Sequence, residues 1–193
     1  MPIKSDLFYS ISMKTKQKDQ PVKTVQRGKS YLMHLVSRSP KTEFQIRQKL
    51  RRSDYDEEVI DQVIEFGETY DYIDDKSYAN RWLKSSASIK CYGKIKCIQE
   101  LKKKGIAADV ISEQIELFFS DEEISEYQIA LDFLNRKKHL IKGDQLFKKK
   151  QKASQILFQR GFSTDIINVV IDDFFRSDVN NQNSDNIYQK RIF

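Results

Sequence analysis

Charge, rather than nucleophilic or redox chemistry, is what the residue pattern of this chain offers. Three clusters of bases stand out: Lys41, Arg47, Lys49, Arg51 and Arg52; then Lys90, Lys94, Lys96, Lys102, Lys103 and Lys104; then Lys148, Lys149 and Lys150. Each lies in a longer basic segment. Residues 41–52 hold five bases and one acid, 89–104 hold six and one, and 136–152 hold eight and one. The intervening segments are opposite in sign, with ten acids and no base over 54–75 and seven acids and no base over 107–127. Segregation of this kind is the footprint of a surface that meets a polyanion, where cations neutralise phosphates. Tyr92 and Phe147 stand beside such bases, where a ring can stack on an exposed nucleobase or pack inward. The competing reading is that basic and acidic faces solubilise the chain and pair with one another.

No catalytic constellation accompanies the charge. The chain has no G-x-x-x-x-G-K-[ST] phosphate loop and no G-x-G-x-x-G. His34 and His139 are far apart, with no nucleophile or metal partner beside them. Cys91 and Cys97 form neither a metal-binding nor a redox spacing, and both are expected reduced. No catalytic residue, metal or cofactor is therefore expected, and the reading is of a binding protein rather than an enzyme.

The elements that carry these bases follow from a phrase that occurs three times. It runs Leu50 to Ile60, Leu101 to Ile111 and Leu157 to Ile167. In each, a leucine is followed four residues on by Asp54, Gly105 or Gly161, and later by an acid and an aliphatic pair. Repetition at about 50 residues marks modules that bury their apolar faces together. Each module reads as three helices. Tyr31, Leu32, Leu35 and Val36 line the first helix of the first module, which Pro40 ends. Thr42 and Gln45 form a capping-box pattern ahead of a second helix whose buried side is Phe44, Ile46 and Leu50. That helix stops at Asp54, equivalent to Gly105 and Gly161, in the left-handed conformation that glycine adopts freely and aspartate tolerates. In the third helix, Glu58, Asp109 and Asp165 meet the positive end of the dipole, a structural reason for an acid there. The acidity of these third helices opposes insertion into a DNA major groove.

The expected fold is all-α, with three tandem three-helix repeats in an elongated, curved array. Its divisions are a basic leader over 1–29, extended or partly disordered; repeats over 30–75, 76–126 and 127–177; and a polar tail over 178–193, read as disordered. No apolar run reaches the length of a membrane span and no signal-peptide core is present, which with the reduced cysteines leads to the expectation of a cytoplasmic protein; with no long heptad seam, a monomer is expected.

Tyr31 to Phe175 resembles the RecX family, regulators of the recombinase RecA. Three linked phrases carry the likeness. Ser37 to Leu50 is similar to the family's opening turn and capped helix. Tyr72-Ile73-Asp74-Asp75-Lys76-Ser77-Tyr78-Ala79 resembles its L-D-D-x-x-Y-A junction. Tyr92 to Ile106 resembles its second-repeat signature, G-x-x-x-I-x-x-E-L-x-x-K-G-I. The departures are Asp54 in place of the usual glycine, the basic leader, the long 136–152 segment and the polar tail. The resemblance implies binding to RecA filaments on single-stranded DNA, with suppression of strand exchange, ATP hydrolysis and co-protease action. The alternative is a sequence-nonspecific binder of single- or double-stranded DNA that acts without RecA. In either case the fourteen bases named above form the expected contact surface.

Overall fold

The computed structural model describes residues 23–120, 125–143 and 145–189, with side chains to 176. Its described helices run in order: α1 (Val25–Arg38), α2 (Glu43–Arg51), α3 (Glu57–Thr69), α4 (Asp75–Ser85), α5 (Lys94–Lys103), α6 (Ala108–Phe119), α7 (Glu126–Lys137), α8 (Leu146–Gln159) and α9 (Thr164–Gln189). A π-helical turn over Ser86–Lys90 continues α4, and a 3-10 turn over Lys138–Leu140 follows α7. No strand occurs among the described residues.

Successive triplets form three bundles, each with its own apolar core. The repeated leucines Leu50, Leu101 and Leu157 are fully buried, one per core. Burying such a side chain contributes about 1.5–3 kcal/mol. Around Leu50 pack Leu32, Ile46, Ile60, Val63, Ile64 and Ile73. Leu101 is surrounded by Leu83, Cys97, Ile106, Ile111, Ile115 and Phe118. The third core is the largest and adds Phe133, Phe162, Phe174 and Phe175 around Leu157. Cys91, from the segment before α5, also lies in this third core. Both cysteines are buried and unbridged.

The second helix of each bundle ends in the same way. Asp54, Gly105 and Gly161 have φ of 57°, 78° and 79°, the left-handed conformation expected at all three positions. Thr42 closes the capping box with Gln45 in both directions.

Four expectations differ from what the chain adopts. The leader read as ending at residue 29 already enters α1 at Val25, because Thr24 caps that helix by accepting from the Arg27 N–H; residues 1–22 of it lie outside the described residues. Helix α4 begins at Asp75, within the stretch assigned to the first repeat. The polar stretch from 178 continues α9 as helix to Gln189, since no Gly or Pro interrupts it; residues 190–193 lie outside the described residues. Phe44 is not part of its bundle's buried side but is 40% exposed, for a reason found at the joint between bundles.

Candidate polyanion interface

The three basic second helices are placed end to end by one joint that is built twice. At the first joint, the C-terminus of α5 abuts the N-terminus of α2. The Thr42 hydroxyl donates to the Lys104 carbonyl at 2.7 Å, and the Glu43 N–H donates to Asp75 Oδ1 at 3.0 Å. The second joint sets the C-terminus of α8 against the N-terminus of α5. There the Gly93 N–H donates to the Arg160 carbonyl at 2.9 Å, and the Lys94 N–H donates to Glu126 Oε1 at 2.9 Å. In each case the cap residue of one helix meets the carbonyl just before the left-handed glycine of the next. In each case, too, the first N–H of the helix meets a carboxylate at the start of the following bundle. Helix ends leave such donors and acceptors without intrahelical partners, so each joint satisfies both sides. It also sets the negative end of one dipole against the positive end of the next.

Close approach explains the glycines. A Cβ on Gly105 would lie 2.2 Å from Phe44 Cγ, so Phe44 leaves its own core to pack on the neighbouring glycine. A Cβ on Gly161 would lie 2.4 Å from the Lys96 nitrogen, and one on Gly93 would lie 2.5 Å from the Gly161 carbonyl oxygen. Ile95 adds a further N–H bond to the Gly161 carbonyl at 3.1 Å. Asp54 ends the described column, with no bundle packed against it among the described residues. Only the dihedral angle must be met there, and aspartate meets it.

Helices α2, α5 and α8 comprise 9, 10 and 14 residues, so about 50 Å of helix carries the bases. Their states differ sharply. Arg47 is held by Glu43 and Asp61, both at 2.6 Å, which raise its pKa against the opposing effect of partial burial. Arg51 donates twice to Glu57, at 2.6 and 2.9 Å, and that pairing lowers the Glu57 pKa. Lys150 pairs with Asp172 at 2.7 Å, while Lys96 and Lys103 share Glu100. Lys41 donates to the Ser39 carbonyl. Lys90 and Lys104 sit over the Trp82 ring at 5.8 and 5.9 Å, and they also approach Tyr92 and Tyr78 respectively. The remaining bases, Lys49, Arg52, Lys94, Lys102, Lys148 and Lys149, have no carboxylate partner for their side chains among the described residues. The acidic third helices α3 and α9 thus neutralise part of the basic column from within their own bundles.

Two arginines and a tryptophan outside the sequence-based set organise the second joint. Arg160 donates to the Lys90 carbonyl at 3.0 Å and lies over Tyr92 and Phe133, at 5.6 and 4.8 Å. Arg136 donates to the Ser88 carbonyl, 3.4 Å away. Tyr92 is therefore half-buried between Trp82 and Arg160, whereas Phe147 is 75% exposed. The sequence signal for Arg160 was its place just before Gly161, matching Lys104 before Gly105. Among the described residues, no group of three His, Cys, Asp or Glu is arranged to hold a metal, and no helix is long and apolar enough to cross a membrane.

Comparison with known proteins adds a family to this geometry. Family models for the first, second and third three-helix domains of RecX match residues 29–66, 74–113 and 124–171. The regulatory protein RecX of Clostridium beijerinckii is 30% identical over 187 residues, which cover 92% of this chain and 85% of that protein. The one from Clostridium botulinum (strain Eklund 17B / Type B) is 34% identical over 138 residues, and the match spans 63% of its length. The crystal structure of RecX from Lactobacillus salivarius superposes with a TM-score of 0.68 at 25% identity, covering 78% of this chain and 96% of that one.

Proposed function

This chain belongs to the RecX family, and from that premise we propose that it is a regulator, mainly negative, of the recombinase RecA. It binds RecA polymerised on single-stranded DNA and suppresses strand exchange, ATP hydrolysis and co-protease activity, acting by binding rather than by catalysis. Its setting is recombination, DNA repair and the SOS response in the cytoplasm, and it acts as a monomer.

The observation that carries this reading is the match to all three RecX domains in order, over bundles joined end to end by one repeated contact. An array of this form offers one extended surface, suited to a partner that is itself a repeating polymer. Co-sedimentation tests the reading: the chain should pellet with RecA filaments formed on single-stranded DNA and stay in solution with RecA alone. Equal pelleting with protein-free DNA would favour the second reading, a DNA binder in its own right. That reading is supported by the lysines and Arg52 that have no carboxylate partner among the described residues.

A further inference from the structure

Helix α8 differs from its two counterparts in what it leaves in solvent. It carries four lysines and no acid. Phe147 is 75% and Phe158 70% exposed on it. The two rings are eleven residues apart, close to three full turns, so they share one face about 16 Å apart. Between them on that face lie Gln151 and Ser154, short of any apolar side chain that would make this a core-facing stripe. Lys148 stands beside the face, and Lys152 follows it one turn on; neither has a carboxylate partner among the described residues.

The fold does not ask for either ring. Phe158 follows the core leucine Leu157, at the position where the other repeats carry Arg51 and Lys102 after Leu50 and Leu101. Counted from the same leucine, Phe147 falls opposite Pro40 and Cys91, which precede α2 and α5, while Phe44 and Ile95 correspond to Gln151. Phe147 therefore lies on an additional turn that lengthens α8 to 14 residues, and its ring is left in solvent. Exposed large apolar groups that packing does not explain mark contact surfaces.

We propose that this face of α8 is a binding platform for single-stranded nucleic acid. Phe147 and Phe158 stack unpaired bases, while Lys148 and Lys152 meet the phosphates between them. Stacking on aromatic rings tolerates any base, and a single strand presents its base faces where a duplex hides them. The absence of acids along α8 gives the charge complementarity that a protein partner would not specifically require. Among the described residues, Asp172 of α9 lines the groove beside Phe147, and Lys150 pairs with it at 2.7 Å, so the two are neutral as a unit. This assignment stands apart from the RecA reading, since it concerns the chain and a bare strand alone.

Fluorescence anisotropy of labelled oligo(dT), titrated without RecA, tests it. The F147A/F158A variant should bind at least tenfold more weakly than the unsubstituted chain, with an unchanged salt slope and an unchanged melting temperature. K148Q/K152Q should instead reduce the slope of log K against log salt by about 1.4, the value for two phosphate contacts to a single strand. A duplex of the same length should not distinguish F147A/F158A from the unsubstituted chain. Oligo(dT) binding by F147A/F158A equal to that of the unsubstituted chain would overturn the proposal. If that variant also failed to pellet with RecA filaments, the face would be a protein-docking surface instead.

Discussion

Gly161 lies so close to the backbone of Lys96 that a Cβ on it would stand 2.4 Å from the Lys96 nitrogen. Two rigid backbones meet there, and neither can yield by a rotamer change. Gly161→Ala also places a side chain at φ 79°. The left-handed conformation costs roughly 1–2 kcal/mol and the overpacking about 1–3 kcal/mol, so a loss of about 3 kcal/mol is expected. Gly105→Ala meets the Phe44 ring, which can move, and should lose less. No bundle among the described residues packs on Asp54, and Asp54→Gly should change stability by about 1 kcal/mol or less. Urea midpoints of the three variants check this order.

Thr42 holds the first joint through a buried hydroxyl that donates to the Lys104 carbonyl and accepts from the Gln45 N–H. Thr42→Val keeps the shape and removes both bonds, at an expected cost of about 2 kcal/mol. Thr42→Ser keeps both and should lie close to the unsubstituted chain. Thermal melts separate the two outcomes, and equal melting of Val and Ser variants would remove the hydroxyl from the joint.

The αL turns, the capping box at Thr42 and the core leucines were legible because each depends on neighbours a few residues away. The joints were not. Gly93 read only as part of a family phrase, although it meets the Gly161 backbone, 68 positions along the sequence. Phe44 fits the apolar period of α2 but serves the next bundle, a distinction that periodicity alone does not carry. The charge pattern was plain in the sequence. That Arg47 and Arg51 are tied to Asp61 and Glu57 depends on how α2 packs on α3.

Burial, reinforced by the charges of Glu126 and Glu100, pushes the Cys97 thiol up to about 12. The folded chain should therefore resist iodoacetamide at Cys97 at pH 8, and urea should expose the site to alkylation, as mass spectrometry would read. The linkage has a definite sign. The folded pKa is above the ordinary thiol value of about 8.5, so this contribution to stability is full below that pH and falls as pH rises toward 12. Cys97→Ala should flatten the decline in melting temperature above pH 9.

Pairing divides the bases by their expected effect on DNA binding. Replacing Lys102, Lys148 or Lys149 with Gln should each lower the salt slope of single-strand binding by about 0.7. Arg51→Gln should leave the slope unchanged, because Glu57 already offsets that charge. Equal slopes for all four variants would contradict this division.

Regulation of RecA is tested most directly by ATP hydrolysis of RecA on single-stranded DNA, with this chain titrated from far below the RecA concentration upward. Inhibition at a small molar fraction of RecA is the result expected of a filament regulator. No inhibition until the chain is abundant enough to coat the DNA would contradict that account and leave DNA binding as the principal activity.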